Sequence, residues 1–260
     1  MRILGILQAR MSSNRLPGKV LKLVVNKPML ELQLERLARS RKLDRLVVAT
    51  SLEQSDNPIE DLCDKYEIDC FRGSLDDVLD RFYQTARQYK PDVIVRLTGD
   101  CPLTDPDVID MGIEFFQSHD YDYVSNSVER TFPIGLDMEV FSHSHLKAAW
   151  KKAILPSERE HVTAYFRNRP EKYKIGQFHN TEDLSHHRWT VDEPADYEFV
   201  KAVYEHLYPV NPTFSSRDIL ELLEKKPALM SLNYSIVHGE GYIKSLKDDE
   251  EYIKKEKQFV

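Results

Sequence analysis

The sequence predicts an α/β fold: a mostly parallel central sheet with helices on both faces. Three observations carry this. Short apolar runs alternate with segments of helical periodicity from the start to about residue 126, the pattern left by successive βαβ units. The first apolar run (Ile3, Leu4, Ile6, Leu7) leads straight into a cationic turn rich in Ser, Asn, Gly and Pro. Two later apolar runs end in Asp100 and Asp192, placing carboxylates at strand carboxyl ends, where open parallel sheets bind ligands.

Strands are expected over 2–7, 44–50, 68–71, 92–98 and 122–126. Helices separate them. Pro28 suits a first helical turn and Leu30, Leu34 and Leu37 follow at helical spacing; Asp56 caps a helix through Tyr66, Ser74 or Asp76 one through Tyr89, and Asp105 or Pro106 one through Gln117. After Asn126 the pattern changes: 130–141 reads as an extended segment punctuated by Pro133 and Gly135, the kind of excursion that carries a lid. Helices at 143–153 and 157–168, strands near 173–179 and 187–191 and a helix from Pro194 to Leu207 close the sheet. A helix near 215–225 and a polar tail of alternating sign, expected as a solvated helix, complete the chain. The organisation is therefore a domain over 1–210, with an excursion at about 127–186, and a helical extension over 211–260.

The chain has 260 residues, 41% hydrophobic and 30% charged, enough for a sizeable core. A formal net charge of −7 excludes bulk attraction to nucleic acid or anionic lipid, so an anionic ligand must be met by a local cluster. An 18-residue apolar stretch and a signal-peptide pattern are both absent from the sequence, giving the expectation of a cytoplasmic protein without a membrane partner. Cys63, Cys70 and Cys101 lack Cys-x-x-Cys spacing and are expected as reduced thiols, and His161, His186 and His187 lack zinc-ligand spacing. Aromatic residues recurring at helical spacing, such as Phe82, Tyr83, Phe166 and Phe199, are expected in the core rather than against a base.

The cationic turn is the chemical signal. Residues 7–21 read Leu-Gln-Ala-Arg-Met-Ser-Ser-Asn-Arg-Leu-Pro-Gly-Lys-Val-Leu. Arg10 and Arg15 can fork onto phosphate oxygens, Lys19 supplies a compact charge, and small residues let backbone N–H groups approach the same anion. Asp100 follows Gly99 at the end of one apolar run and Asp192 ends another before Pro194. A pair of strand-end carboxylates suits Mg²⁺, which takes one or two protein carboxylates and leaves its remaining positions to water and phosphate oxygens. The competing accounts are a solvated basic loop, a turn Asp and a helix N-cap.

Four segments together resemble the cytidylyltransferase family of CMP-Kdo and CMP-acylneuraminate synthetases, and most closely its SpsF-type branch of spore coat polysaccharide biosynthesis proteins. They are Gln-Ala-Arg-Met-Ser-Ser-Asn-Arg-Leu-Pro-Gly-Lys at 8–19, Arg-Gly-Ser-Leu-Asp-Asp-Val-Leu-Asp-Arg-Phe at 72–82, Leu-Thr-Gly-Asp-Cys-Pro at 97–102 and Trp-Thr-Val-Asp-Glu-Pro at 189–194. The resemblance spans about 2–207. It implies a nucleotide-diphospho-sugar transferase (Rossmann-like) fold, a homodimer, and transfer of CMP from CTP to an acidic sugar with release of pyrophosphate. Arg10, Arg15, Lys19, Asp100 and Asp192 would be the catalytic set, with Asp100 and Asp192 holding Mg²⁺. Nucleotide contacts would come from Leu7, Gln8, Ala9, Ser12 and Ser13, from Arg72, Gly73, Ser74 and Asp76, and from Thr98 and Gly99. The segment Arg-Gly-Ser-Leu-Asp-Asp departs from the His-Gln-Ser-Gly-Thr type of the Kdo enzymes, which leaves base identity open.

The acceptor is expected over the middle region. Asp137 and Glu139 project to one side of an extended segment that contains Gly135, while Arg159, Glu160 and His161 sit at a helix start, with Arg188 nearby. The alternatives are a nucleotidyltransferase acting on a sugar 1-phosphate or another phosphorylated small molecule, which would use Arg130, Arg159 and Arg188 on its phosphate; a nucleotide-sugar-dependent glycosyltransferase, whose usual Asp-x-Asp is absent at Gly99-Asp100-Cys101; and a noncatalytic nucleotide-binding protein.

Overall fold

The chain runs β1 (Ile3–Gln8), a hairpin of β2 (Leu23–Val24) and β3 (Lys27–Pro28), α1 (Met29–Leu37), β4 (Arg45–Ser51), α2 (Asn57–Lys65), β5 (Asp69–Gly73), α3 (Val78–Tyr89), β6 (Val93–Thr98) and α4 (Pro106–Ser118). It continues through β7 (Tyr123–Ser125), β8 (Glu139–Ser142), α5 (His143–Lys152), α6 (Pro156–Glu160), α7 (Ala164–Arg167), β9 (Ile175–Gln177), α8 (Pro194–Leu207), α9 (Ser216–Lys225) and α10 (Glu240–Gln258). The computed structural model describes residues 1–236 and 240–258. Seven strands form one sheet in the order β5-β4-β1-β6-β8-β7-β9. The β4-β1-β6 centre and the β4–β5 and β7–β9 pairs are parallel; β8 is antiparallel to both neighbours.

Side chains alternate across this sheet and both faces are covered, which is why its central strands read as continuous apolar runs. Ile3, Leu7, Val48, Val95 and Leu97 enter one core with α1, α2, α4, α8 and α9. Leu4, Ile6, Val47, Ala49 and Ile94 enter a second core with α3, α5 and α7, where Phe82, Tyr83 and Phe166 are buried as expected. Through Ile219, Leu222 and Leu223, α9 packs into the first of these cores.

Several local expectations change. The extended segment at 130–141 ends in a true sheet strand, β8, with Glu139 in register with Arg96. Only four residues long and opened by a charged side chain, β8 lacks an apolar-run signature. The strand expected at 187–191 is reduced to a single bridge, Ile134 to Arg188. The helix expected at 157–168 breaks into α6 and α7 because Val162 adopts φ +53°, outside the helical region. The cap of α3 is Asp77, whose side chain accepts from the Asp80 N–H, rather than Ser74 or Asp76. Val25 and Asn26, both at positive φ, make the two-residue β2–β3 turn that the sequence reading passed over. The terminal helix is not solvated all round: Ser245 and Asp249 of α10 are buried, and Asp249 accepts from both the N–H (2.8 Å) and the hydroxyl (2.6 Å) of Ser157 at the start of α6.

Candidate active site

The cationic turn leaves the carboxyl end of β1 and is fastened from below. Asp56, fully buried, accepts from the Met11 N–H (2.7 Å), from the Ser51 N–H (3.1 Å) and hydroxyl (2.5 Å), and from Thr50 Oγ1 (3.0 Å). Burial opposes its charge, but these donors hold its carboxyl below the ordinary range. The turn ends in Gly18 at φ +68°, after which Lys19 points inward.

Lys19 joins the carboxylates of Asp100 and Asp192. Its Nζ donates to Asp192 Oδ1 at 2.9 Å, to Asp100 Oδ2 at 3.3 Å and to the Val191 carbonyl at 2.7 Å. Arg15 reaches the same side, 3.2 Å from Asp192 Oδ1 and 3.3 Å from Glu193 Oε1. Burial disfavours the Lys19 ammonium, yet Asp100 and Asp192 outweigh it and raise its pKa. Burial likewise works against the Asp100 carboxylate, and Lys19 overcomes it, drawing the pKa down to about 2. The Lys19 and Asp100 charges therefore persist at neutral pH.

Three hydrogen bonds fix the Asp100 turn, one to β1 and two to the segment that leads to Asp192. The Gly99 N–H donates to the Gln8 carbonyl at 2.8 Å, and a Cβ on Gly99 would lie 3.1 Å from that oxygen. The Val191 N–H and the Thr190 hydroxyl both donate to the Asp100 carbonyl, at 2.7 and 3.1 Å. Asp192 is not the N-cap of α8. That position belongs to Glu193, with Pro194 next, leaving the Asp192 carboxylate to the cations. Asp196 is the buried anchor: it accepts from Arg188 Nε (2.8 Å) and Nη2 (2.9 Å), from the Asp192 and Glu193 N–H groups (3.0 Å each) and from Asn233 Nδ2 (2.9 Å). Arg188 Nη2 also reaches Asp192 Oδ2 at 3.1 Å. Arg188 thus joins the carboxylate cluster through Nε and Nη2, while its Nη1 is buried without a partner among the described residues.

On the nucleoside side, Leu7 and Ala9 are buried beneath the turn, Gln8 and Ser13 are half-buried, and Arg10 and Ser12 are exposed. Thr98 is occupied locally, its hydroxyl 3.3 Å from Cys101 Sγ and its carbonyl accepting from Gln33 Nε2. Ser74 accepts from the Asp77 N–H, Asp76 is exposed, and Gly73 ends β5. Arg72 turns away: its nitrogens bond the Ser51 and Glu53 carbonyls, Asn57 Oδ1 and Glu60 Oε2.

The acceptor candidates divide into two groups. Asp137 pairs with Arg130 through both oxygens, and its charge acts on Cys101, the residue after Asp100. Glu139 is enclosed, bonded by Arg96, by the Tyr123 hydroxyl (2.5 Å) and by Thr163. Arg159 pairs with Asp77 and donates to the Trp150 carbonyl, while Glu160 and His161 both meet Ser245 of α10, at 2.5 and 2.9 Å. Gly135 serves the chain path: at φ +108°, a Cβ there would come within 2.6 Å of the Thr190 nitrogen. A continuous set, Gln8–Arg96–Glu139–Thr163, runs from the β1 end toward α7.

Sequence reasoning passed over Asp56 as a brace, Arg81 and Asp196. A signal for Asp196 existed: an acidic residue three positions after Glu193 at a Pro-started helix is capping-box spacing. Arg81 lay inside the 72–82 segment, but its position shows only once α3 is packed under β5.

The cytidylyltransferase family model matches residues 4–231. The spore coat polysaccharide biosynthesis protein SpsF of Bacillus subtilis is 37% identical over 234 residues, covering 86% of this chain and 95% of that protein. A solved cytidylyltransferase structure from Leptospira borgpetersenii superposes with a TM-score of 0.86 at 35% identity, covering 92% of this chain and all of that one. A CMP:2-keto-3-deoxy-manno-octonic acid synthetase solved with CTP shares the fold, with a TM-score of 0.61 at 17% identity over 79% of this chain and 99% of its own. With the cationic turn, Asp100 and Asp192 inside the matched span, the chain belongs to the cytidylyltransferase family.

Proposed function

We propose that the protein transfers a nucleotidyl group, CMP from CTP, to an oxygen of a sugar or acidic sugar with release of pyrophosphate, in the biosynthesis of a surface polysaccharide or related glycan. The observation that carries this reading is the convergence of Lys19, Arg15, Asp100 and Asp192 at the carboxyl ends of β1 and β6. The names of the relatives agree with it: one is a polysaccharide biosynthesis protein, and a structural neighbour was solved with CTP.

In this reading the acceptor hydroxyl oxygen attacks the α-phosphorus in line and releases its proton to water. The bond from that phosphorus to the bridging oxygen breaks, and pyrophosphate carries away the electron pair. Arg10, Arg15 and Lys19 neutralise the triphosphate and the leaving oxygens, the kind of electrostatic stabilisation that dominates phosphoryl-group chemistry. Asp100 and Asp192 fit Mg²⁺, because two carboxylates already flank one cation. When bound, the metal would supply further charge neutralisation at the phosphates.

Of the candidate cations for a phosphorylated acceptor, Arg130 pairs with Asp137 and Arg159 with Asp77, while Arg188 pairs with Asp196 through Nε and Nη2 and keeps a buried Nη1 without a partner among the described residues. A pyrophosphate-release screen of the four nucleoside triphosphates against keto-acid sugars and sugar phosphates, with Mg²⁺, tests the proposal. Release with CTP and a sugar acid is expected. Silence across every pair, without nucleotide binding in a thermal shift, would sink it. A homodimer in the cytoplasm goes with the proposal and is checked by solution mass measurement and cell fractionation.

A further inference from the structure

Behind Arg188 lies a cavity of about 180 Å³, bordered by residues 186–189, by Phe199 of α8 and by Met230, Asn233 and Tyr234 beyond α9. Of the residues assigned to nucleotide, metal or acceptor, only Arg188 reaches it. Two buried donors belong to its wall and have no partner among the described residues: Nη1 of Arg188 and Nε1 of Trp189, residues that are 7% and 0% exposed. A buried donor without an acceptor is costly, so a molecule that supplies the acceptor is held firmly. The other side of Arg188 is taken. Its Nε and Nη2 bond Asp196, Nη2 also reaches Asp192, and Asn233 Nδ2 donates to the Arg188 carbonyl at 2.9 Å.

We propose that this cavity is a second small-molecule site, one that takes a flat, neutral carbonyl compound of the aromatic-amide class, its oxygen accepting from Arg188 Nη1 and Trp189 Nε1. The wall offers donors, so the ligand must bring acceptors. Arg188 already lies between two carboxylates, and burial together with His186 pushes His187 down to about 4, leaving it uncharged at neutral pH; neither supplies an unpaired positive charge for an anion. A carbonyl oxygen also brings no hydrogen of its own, whereas a hydroxyl would need a further acceptor. The remaining wall suits a flat body. The His186 and His187 rings lie 4.1 Å apart by centroid, His187 and Trp189 lie 6.0 Å apart, and Phe199 and Met230 add apolar surface. Because Nη2 of the same guanidinium reaches Asp192 Oδ2 at 3.1 Å, an occupant touches the group that steadies a candidate metal ligand.

The test is NMR titration of the isotope-labelled full chain with benzamide, benzoate and benzyl alcohol, molecules of similar shape that differ in charge and in acceptor. The chain has two tryptophans, and the indole of Trp150 already donates to Asp80 Oδ1 at 2.7 Å, which makes it the internal reference. Benzamide is expected to move the Trp189 indole N–H signal downfield with a Kd of about 1 mM, in the range for so small a molecule, and to leave the Trp150 signal in place. Benzoate and benzyl alcohol should bind about 3- to 10-fold more weakly, the worth of one hydrogen bond. Trp189→Phe, followed through the ligand signals, should bring benzamide to within about twofold of benzyl alcohol. The wild-type titration needs no variant, so it stands even if Trp189→Phe does not fold. A Trp189 signal that stays still with all three compounds, benzoate binding more tightly than benzamide, or a shift abolished by saturating CTP overturns the inference. Each of these outcomes leaves nucleotidyl transfer intact.

Discussion

Lys19 Nζ lies 2.9 Å from Asp192 Oδ1, a contact that spans 173 positions of sequence and brings the first motif onto the last. Because the same ammonium also holds Asp100, lysine and a divalent cation draw on the same two carboxylates. Replacing Lys19 with Met should therefore do two opposite things. Mn²⁺ affinity without nucleotide should rise, read by titration of the free-ion EPR signal. Pyrophosphate release should fall by about 10²- to 10³-fold, the usual effect of losing one electrostatic stabiliser. Unchanged Mn²⁺ binding would show that Lys19 does not compete for the carboxylates.

Asp196 predicts a coupled loss. Its carboxylate takes five donors and is fully buried, so Asp196→Asn leaves Arg188 without its full counter-charge and puts N–H groups where acceptors were. Breaking a buried pair from one side costs about 3–5 kcal/mol. Urea unfolding should register that loss, and turnover should fall with it because the Asp192 backbone is held by the same carboxylate. Full stability with lowered turnover would instead make Asp196 a group acting on substrate.

How much of this was legible follows from the range of the signals. Each βα unit is a local pattern, so β1, β4, β5 and β6 and their helices could be read from alternation alone. Arg15, Lys19 and Asp100 could be singled out because each sits in a turn that follows a strand, and Asp192 because it ends an apolar run before a Pro-started helix. Long-range satisfaction was not legible. The paired states of Arg72, Arg188 and Glu139 depend on partners 21, 8 and 43 positions away or more locally invisible geometry, and residue type alone does not distinguish a bonded charge from an open one. The same applies to α10, whose alternating charges look solvated until Asp249 is seen capping α6.

Gly135 should be intolerant of a side chain for two reasons. Its φ of +108° is costly for any other residue, and the Cβ would meet the backbone of Trp189 and Thr190, which cannot swing aside as a side chain can. Gly135→Ala is expected to cost about 1–3 kcal/mol and to loosen the Ile134–Arg188 bridge. Hydrogen exchange at the Trp189 amide, which donates to the Ile134 carbonyl, reads this directly. A variant with wild-type melting and protection would show that this segment adjusts freely.

The Glu139 network makes a prediction about acid. Burial alone would raise the Glu139 pKa, but the charges of Arg96 and Arg167 and the hydroxyls of Thr163 and Tyr123 bring it from the ordinary 4.5 down to about 2. A carboxylate whose folded pKa is depressed stabilises the protein above its unfolded value, and the contribution is lost as pH falls through the interval down to the folded value. The window is therefore pH 4.5 to about 2, and the depression corresponds to about 3 kcal/mol above it. Glu139→Gln keeps an acceptor for Tyr123 and Thr163 but removes the charge opposite Arg96, so it should melt well below the wild type at pH 7. As the pH drops toward 2 the wild type loses the same charge, and the two melting curves should converge. A gap that stays constant from pH 7 to pH 3 would mean that Glu139 acts through packing and hydrogen bonding, with its charge contributing nothing to the fold.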